Sequence, residues 1–139
     1  MKISTKGRYS LRMLVDLAEH KGEGFIALKD VAERQGISKK YLEQLVPLLN
    51  QRDILRTNRG YKGGYMLAKE AEQYTVGQIL RLTEGGLRPV TCLEDDPNLC
   101  ERSGFCKTLP VWKGLQQVID EYLDGITLQE VLDDKLFLR

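Results

Sequence analysis

The sequence predicts a mainly α-helical fold with one small β-hairpin, on three observations. Apolar residues recur at helical spacing in six stretches. Two short extended runs, Ile54–Thr57 and Tyr65–Leu67, flank a segment holding three glycines. Good capping residues stand at the edges of the helical stretches. With 139 residues, 42% of them hydrophobic and 29% charged, the chain suits one compact domain with an appendage. No apolar run reaches the ~18–20 residues of a membrane span, and Met1–Ser10 lacks the apolar stretch of a signal peptide. A cytoplasmic protein with no membrane partner is therefore expected.

The elements follow in order. Residues 5–21 carry Leu11, Leu14, Val15, Leu17 and Ala18 on one helical face, and Gly22 and Gly24 stop that helix. A second helix is predicted over Leu28–Gln35, with Leu28, Val31 and Ala32 inward and Gly36 as a left-handed terminator. Ser38 caps a third helix striped by Leu42, Leu45, Val46, Leu48 and Leu49. Pro47 falls inside it, which predicts a kink or an early end. The two extended runs form short strands around Asn58–Gly64. Thr75 and Gln78 form a capping box for a helix to about Thr83, and Glu84-Gly85-Gly86 ends it. Residues 85–109 keep no periodicity and read as a loop. From Pro110 a strong helix runs to Asp124, with Gly125 as its C′ residue. Its residues Trp112, Leu115, Ile119 and Tyr122, widened by Val111, Val118 and Leu123, have the spacing of a paired-helix seam. Thr127 and Glu130 cap a last short helix.

Helix, tight turn, helix and glycine-rich hairpin make up the order of a winged helix-turn-helix. The division expected is 1–84 for that unit, 85–109 for a cysteine-containing loop, and 110–139 for a dimerisation helix with the short final helix. Charge agrees with it. Residues 1–65 hold 13 Lys and Arg against seven acids, a net +6, whereas residues 66–139 hold eight against 13, a net −5. A basic field of that kind attracts a polyanion.

In a winged helix-turn-helix the third helix enters the major groove of double-stranded DNA. Its first turn offers Ser38, Lys39, Lys40, Tyr41, Glu43 and Gln44. Lys and Ser reach phosphate or guanine, Gln pairs with adenine, and Glu accepts from cytosine. Arg59 at the hairpin tip, beside Gly60, suits a narrow minor groove, with Arg56 and Lys62 flanking it on the backbone. Lys6 and Arg8 add phosphate contacts from the first helix. A helical hairpin with a surface turn and no role on DNA is the plain alternative. If a dimer neutralises about eight phosphates, the log–log salt slope should be near −7.

The cysteines are spaced Cys92-x7-Cys100-x5-Cys106. Thiolates are the usual ligands of iron–sulfur clusters, and three on one loop can wrap one cluster. The spacing matches neither a zinc ribbon nor a ferredoxin run. An iron–sulfur cluster, zinc, redox thiols and inert cysteines are the four readings. The last is disfavoured, because inert thiols prefer apolar surroundings and these sit among Asp, Asn, Glu, Arg, Ser and Gly.

The opening MKISTKGRYSLRMLVDLA, the stretch AERQGISKKYLEQL, the hairpin NRGYKGGYMLA and the three-cysteine loop before a Trp-bearing helix resemble the IscR-type regulators. This is the family of winged-helix transcription factors that includes IscR, NsrR and CymR, and the likeness spans nearly the whole chain. It implies a homodimer joined through the long C-terminal helix and a palindromic operator. It also implies cluster ligation by Cys92, Cys100 and Cys106, and DNA contacts from Ser38, Tyr41, Glu43, Gln44, Arg59 and Gly60. The cluster implied is 2Fe-2S ahead of 4Fe-4S, and the regulon implied is that of cluster biogenesis. Two departures stand out. The position of the fourth, histidine ligand of IscR is Leu109, and that of the partner-donated carboxylate of NsrR is Arg8. The first interval is also longer, seven residues against the family's usual five. Glu94, Asp95, Asp96, Glu101, Glu43, His20 or an exogenous ligand are the candidates left for the fourth position.

A regulator whose cluster state sets operator affinity is the function expected. Tying the thiolates together orders a loop that is otherwise costly to order. A difference of ~1.4 kcal/mol between states already gives tenfold in affinity. The rival is a thiol-redox or small-molecule-responsive regulator or interaction module without a cluster, serving cysteine metabolism or nitric-oxide sensing. An enzyme is not expected: one histidine, no Ser/His/Asp grouping and no phosphate-binding glycine loop are present.

Overall fold

A computed structural model of the protein describes residues 1–136, so the last three residues of the expected C-terminal segment lie outside it. The order is α1 (Thr5–Glu19), α2 (Leu28–Gln35), α3 (Lys39–Asn50), β1 (Leu55–Asn58), β2 (Gly64–Leu67), α4 (Val76–Glu84), α5 (Leu109–Asp124) and α6 (Leu128–Leu132). It is the mainly helical fold with a two-stranded antiparallel wing that the sequence predicts.

The local chemistry behaves largely as expected. Gly36 ends α2 in the left-handed region at φ 64°, and the Ser38 hydroxyl accepts from the Tyr41 amide to cap α3. Thr127 and Glu130 form a complete capping box. Four details differ. α1 stops at Glu19, before a separate short turn at Lys21–Glu23. α3 runs past Pro47 to Asn50. The proline is exposed, so the Glu43 carbonyl that loses its partner lies where water can satisfy it. Only the threonine half of the Thr75/Gln78 box forms. α5 begins at Leu109, and Gly125 closes it at φ −83°, outside the left-handed region.

α1, α2 and α3 share one core with Met13, Leu14, Leu17, Val31, Leu42, Leu45, Leu49 and Ile54, all buried. Each such side chain contributes about 1.5–3 kcal/mol by leaving water. Leu128 of α6 is fully buried in the same core, so the chain returns from α5 to pack against α1. Backbone bonds fix that return: Val76 N donates to the Ile126 carbonyl at 2.8 Å, and Leu128 N to that of Tyr74 at 3.0 Å.

The wing pairs Leu55 with Leu67 and Asn58 with Gly64. Ile26, just before α2, adds a rung by exchanging both backbone bonds with Tyr65 at 2.9 and 2.8 Å. The hairpin is thereby bolted to the helix-turn-helix rather than hanging free.

α5 divides the seam read from the sequence. Ile119 and Leu123 pack inward on Val76, Leu80, Leu87 and Ile126. Val111, Leu115, Val118 and Tyr122, spaced four, three, four, remain exposed on another face. The stripe is two faces: one holds α5 to its own domain and one is left open. Arg81 of α4 clasps α5 through Asp120 at 2.7 Å and Asp124 at 2.5 Å.

Candidate nucleic-acid interface and cysteine loop

The helix-turn-helix is locked by a buried acid. The carboxylate of Asp16 in α1 is 1% exposed and takes Arg34 Nη2 at 2.7 Å, Arg34 Nε at 3.0 Å and Gln35 Nε2 at 3.0 Å. Burial pushes this carboxyl upward, but the Arg34 and Gln35 hydrogen bonds outweigh it and hold it below the ordinary range. Arg12 of α1 also grips Gln35, and its guanidinium lies 5.2 Å from the Tyr9 ring centre. Tyr9 in turn meets Tyr41 edge-on at 5.4 Å. α1 therefore sets the poses of both α2 and α3.

Between α3 and the wing runs an open groove of about 690 Å³. Its lining brings together Lys39 and Glu43 of α3 with Arg59 and Gly60 of the wing tip. Lys29 of α2, Asn50 and Asn58 line it as well, and sequence reasoning missed them. Lys29 could have been found, as an exposed cation on the polar face of a helix whose apolar face is Leu28 and Val31. The two asparagines carried no such signal.

The other candidates lie outside that lining. Ser38 is committed to capping α3. Lys40 and Gln44 are exposed on α3, and Tyr41 is half-buried against Tyr9. Lys62 sits at the wing tip at φ 60°, its ammonium 5.9 Å from the Tyr61 ring centre. Lys6 and Arg8 are exposed at the start of α1, where Arg8 donates to Thr5 Oγ1 at 3.1 Å. Arg56 borders a different cavity, with Lys21, Met66 and Glu70. The strand pleat turns it away from the groove that Thr57 borders.

The cysteine loop covers the segment between α4 and α5. All three thiols are free, Cys100 exposed and Cys92 and Cys106 half-exposed. The Cys100 amide donates to Asn98 Oδ1 at 2.8 Å. Cys106 lies three residues before α5, its Sγ 3.3 Å from Thr108 Oγ1. That hydroxyl, with the amides of Thr108 and Leu109, draws its thiol below the usual range. Leu109 itself is buried, 6% exposed.

A family model described as Rrf2, an iron-dependent transcriptional regulator, matches residues 3–134. The chain belongs to the Rrf2 family. CymR of Bacillus subtilis, described as an HTH-type transcriptional regulator, is 38% identical over 94% of this chain and 89% of its own length. Its solved structure, titled as the global cysteine regulator of that organism, superposes with a TM-score of 0.80 over 96% of this chain and 97% of that one. The HTH-type transcriptional regulator IscR of Pectobacterium atrosepticum is 35% identical over the whole chain and 84% of its own length. The structure of T. potens IscR matches at 40% identity and a TM-score of 0.75, covering 98% of this chain and 89% of that one.

This Rrf2 protein is thus a DNA-binding transcriptional regulator and not an enzyme. No helix among the described residues is long and apolar enough to cross a membrane. Whether its cysteines suit an iron–sulfur group turns on the donors. Three reachable thiols on one loop, one of them already biased toward thiolate, fit such a group in kind. Among the described residues the loop does not gather three or more Cys, His, Asp or Glu into a ligand set. Buried Leu109 offers no fourth donor.

Proposed function

We propose that this protein is an iron–sulfur-dependent transcriptional regulator whose cluster state sets its affinity for an operator. The observation that carries the reading is the placing of three free, solvent-reachable thiols on the one segment joining the DNA-binding half to α5. Cys92, Cys100 and Cys106 would hold the cluster, 2Fe-2S in preference to 4Fe-4S, and cluster-biogenesis genes are the regulon this reading favours. When bound, such a cluster supplies thiolate cross-links and a redox-responsive centre.

The chain's own residues would do the rest. The loop's first residues reach α5 through Arg88, whose Nη1 is 3.9 Å from Asp120, and Asp120 is shared with Arg81 of α4. α4 packs along α1, which sets α2 and α3. Ordering the loop would therefore bias the relative pose of the two α3 helices in the dimer. Residues 1–84 are the DNA-binding unit, 85–109 the sensing loop, and 110–139 the pairing segment, acting in the cytoplasm. DNA is met by Ser38, Lys39, Lys40, Tyr41, Glu43 and Gln44 of the α3 region and by Arg59, Gly60 and Lys62 of the wing, while Arg56, on the other cavity, is left out of the contact. Lys6 and Arg8 support them on the backbone. The open face of α5 supplies the contact between copies.

A second reading, a thiol-redox regulator without a cluster, is favoured by one observation: Cys106 is a half-exposed thiol with hydrogen bonds that stabilise its thiolate. Anaerobic purification with a visible spectrum and iron and sulfide assays separates the two. The cluster reading expects coloured protein with bound iron and sulfide, and colourless but folded Cys92→Ala, Cys100→Ala and Cys106→Ala variants. Colourless wild-type protein with oxidant-reactive thiols overturns it.

A further inference from the structure

A cavity of about 280 Å³ lies between the cysteine loop and α5. Gln116 of α5 lines it and is only 8% exposed. Its Nε2 donates to Asp120 Oδ1 at 2.9 Å, which fixes the amide and leaves a buried Oε1 with no hydrogen-bond partner in the protein. Asn98 of the cysteine loop, which also lines the cavity, is fixed in the same way. Its Oδ1 accepts from the Cys100 amide, and its buried Nδ2 has no partner. A buried polar atom is costly to leave unpaired, so each asks something of an occupant: Gln116 a donor, Asn98 an acceptor.

Charge narrows the occupant further. Arg88 and Lys113 border the cavity, and so do Asp95 and Asp96. Both signs thus line the cavity, which favours a ligand carrying both over a plain anion or cation. The space is small for a ligand pocket, which favours an occupant of amino-acid size over a larger one. The geometry points to a binding site for a net-neutral zwitterion of amino-acid size, its ammonium on Gln116 Oε1 and the aspartates, its carboxylate on Asn98 Nδ2 and the cations.

The site is independent of the cluster reading, yet it is wired to the same parts. Asn98 holds the Cys100 amide, and Gln116 holds the Asp120 that pairs with Arg81 and Arg88. An occupant would tie the loop to the α4–α5 clasp, a small-molecule input to a DNA-binding protein.

L-asparagine serves as the probe in isothermal titration of the full-length protein. Succinamate, which lacks the ammonium, and 3-aminopropanamide, which lacks the carboxylate, are the comparison ligands. Saturable binding of one L-asparagine per chain is expected, with each comparison ligand at least about tenfold weaker. Asn98→Asp keeps the acceptor for Cys100 but replaces the donor with a carboxylate, and should weaken binding at least about tenfold. Lys113→Glu, at an exposed helix position, should do the same without touching the core. Absence of saturable heat, equal binding of either comparison ligand, or unchanged affinity in both variants overturns the proposal.

Discussion

Asp16 of α1 and Arg34 of α2 form a forked ion pair, Nη2 to Oδ1 at 2.7 Å and Nε to Oδ2 at 3.0 Å, with the carboxylate sealed from water and the guanidinium about one-third exposed. The pair joins the scaffold helix to the first helix of the DNA-binding motif. Replacing Asp16 by Asn keeps the shape and removes the charge that Arg34 and Gln35 are built around. A fully buried pair that loses a partner costs roughly 3–5 kcal/mol. The exposure of Arg34 reduces the expectation to about 1–3 kcal/mol, read by urea denaturation at pH 7. The pH dependence has a definite sign. Because the folded-state pKa is depressed, the pair's contribution is present above the unfolded value near 3.8 and fades as acid takes the pH through the folded value. Asp16→Asn should therefore flatten the stability curve below about pH 4, and an unaltered acid limb would remove the assignment.

Arg59 stands exposed at the wing tip and borders the groove facing α3. Arg59→Ala should leave thermal stability unchanged and cost about 1–3 kcal/mol of operator binding, lowering the salt slope by about one. Fluorescence anisotropy across a salt series reads both quantities. Equal loss of stability and affinity would mean that the residue is structural.

Gly64 touches the backbone that anchors the wing. A Cβ there would collide with the Ile26 carbonyl, which is backbone and cannot yield as a side chain can. Gly64→Ala should cost about 1–3 kcal/mol of stability and weaken DNA binding as the hairpin is levered from its Ile26 rung. Gly36→Ala meets open space and should cost only the strain of φ 64°. Thermal melts of the two variants side by side test the contrast.

Val111, Leu115, Val118 and Tyr122 make an apolar stripe that nothing among the described residues covers. Leu115→Asp should raise the dimer dissociation constant at least about tenfold, or ~1.4 kcal/mol, with the monomer fold intact by circular dichroism. Sedimentation velocity over a concentration series checks this. Ile119→Asp, on the inward face, should instead unfold the junction of α4 and α5.

The helix-turn-helix was legible because its signals are local. Ser38, Gly36 and the 3–4 spacing of Leu42, Leu45 and Leu49 each act within a turn or two of the backbone. The wing was legible from its glycines, although its rung to Ile26 was not, since that contact joins residues far apart in sequence. For a related reason, Pro47 does not end α3. A proline's cost depends on whether the orphaned carbonyl faces water, and exposure is a tertiary fact. The groove was half readable: Lys39 and Arg59 announced themselves by type and position, whereas Asn50 and Asn58 matter only through the space they border.

By itself the sequence determined which segments are helical, most of their caps, and that three thiols share one polar loop. These follow from backbone preferences and spacing, which need no partner across the fold. Tertiary structure decided the rest. It split the α5 stripe into an inner and an outer face, set Asp16 against Arg34, and turned Arg56 away from the groove that Arg59 borders. It also left Gln116 and Asn98 with unpaired atoms on one cavity. Each of these depends on which surfaces meet, and that is settled only when the apolar faces of separate helices have chosen one another.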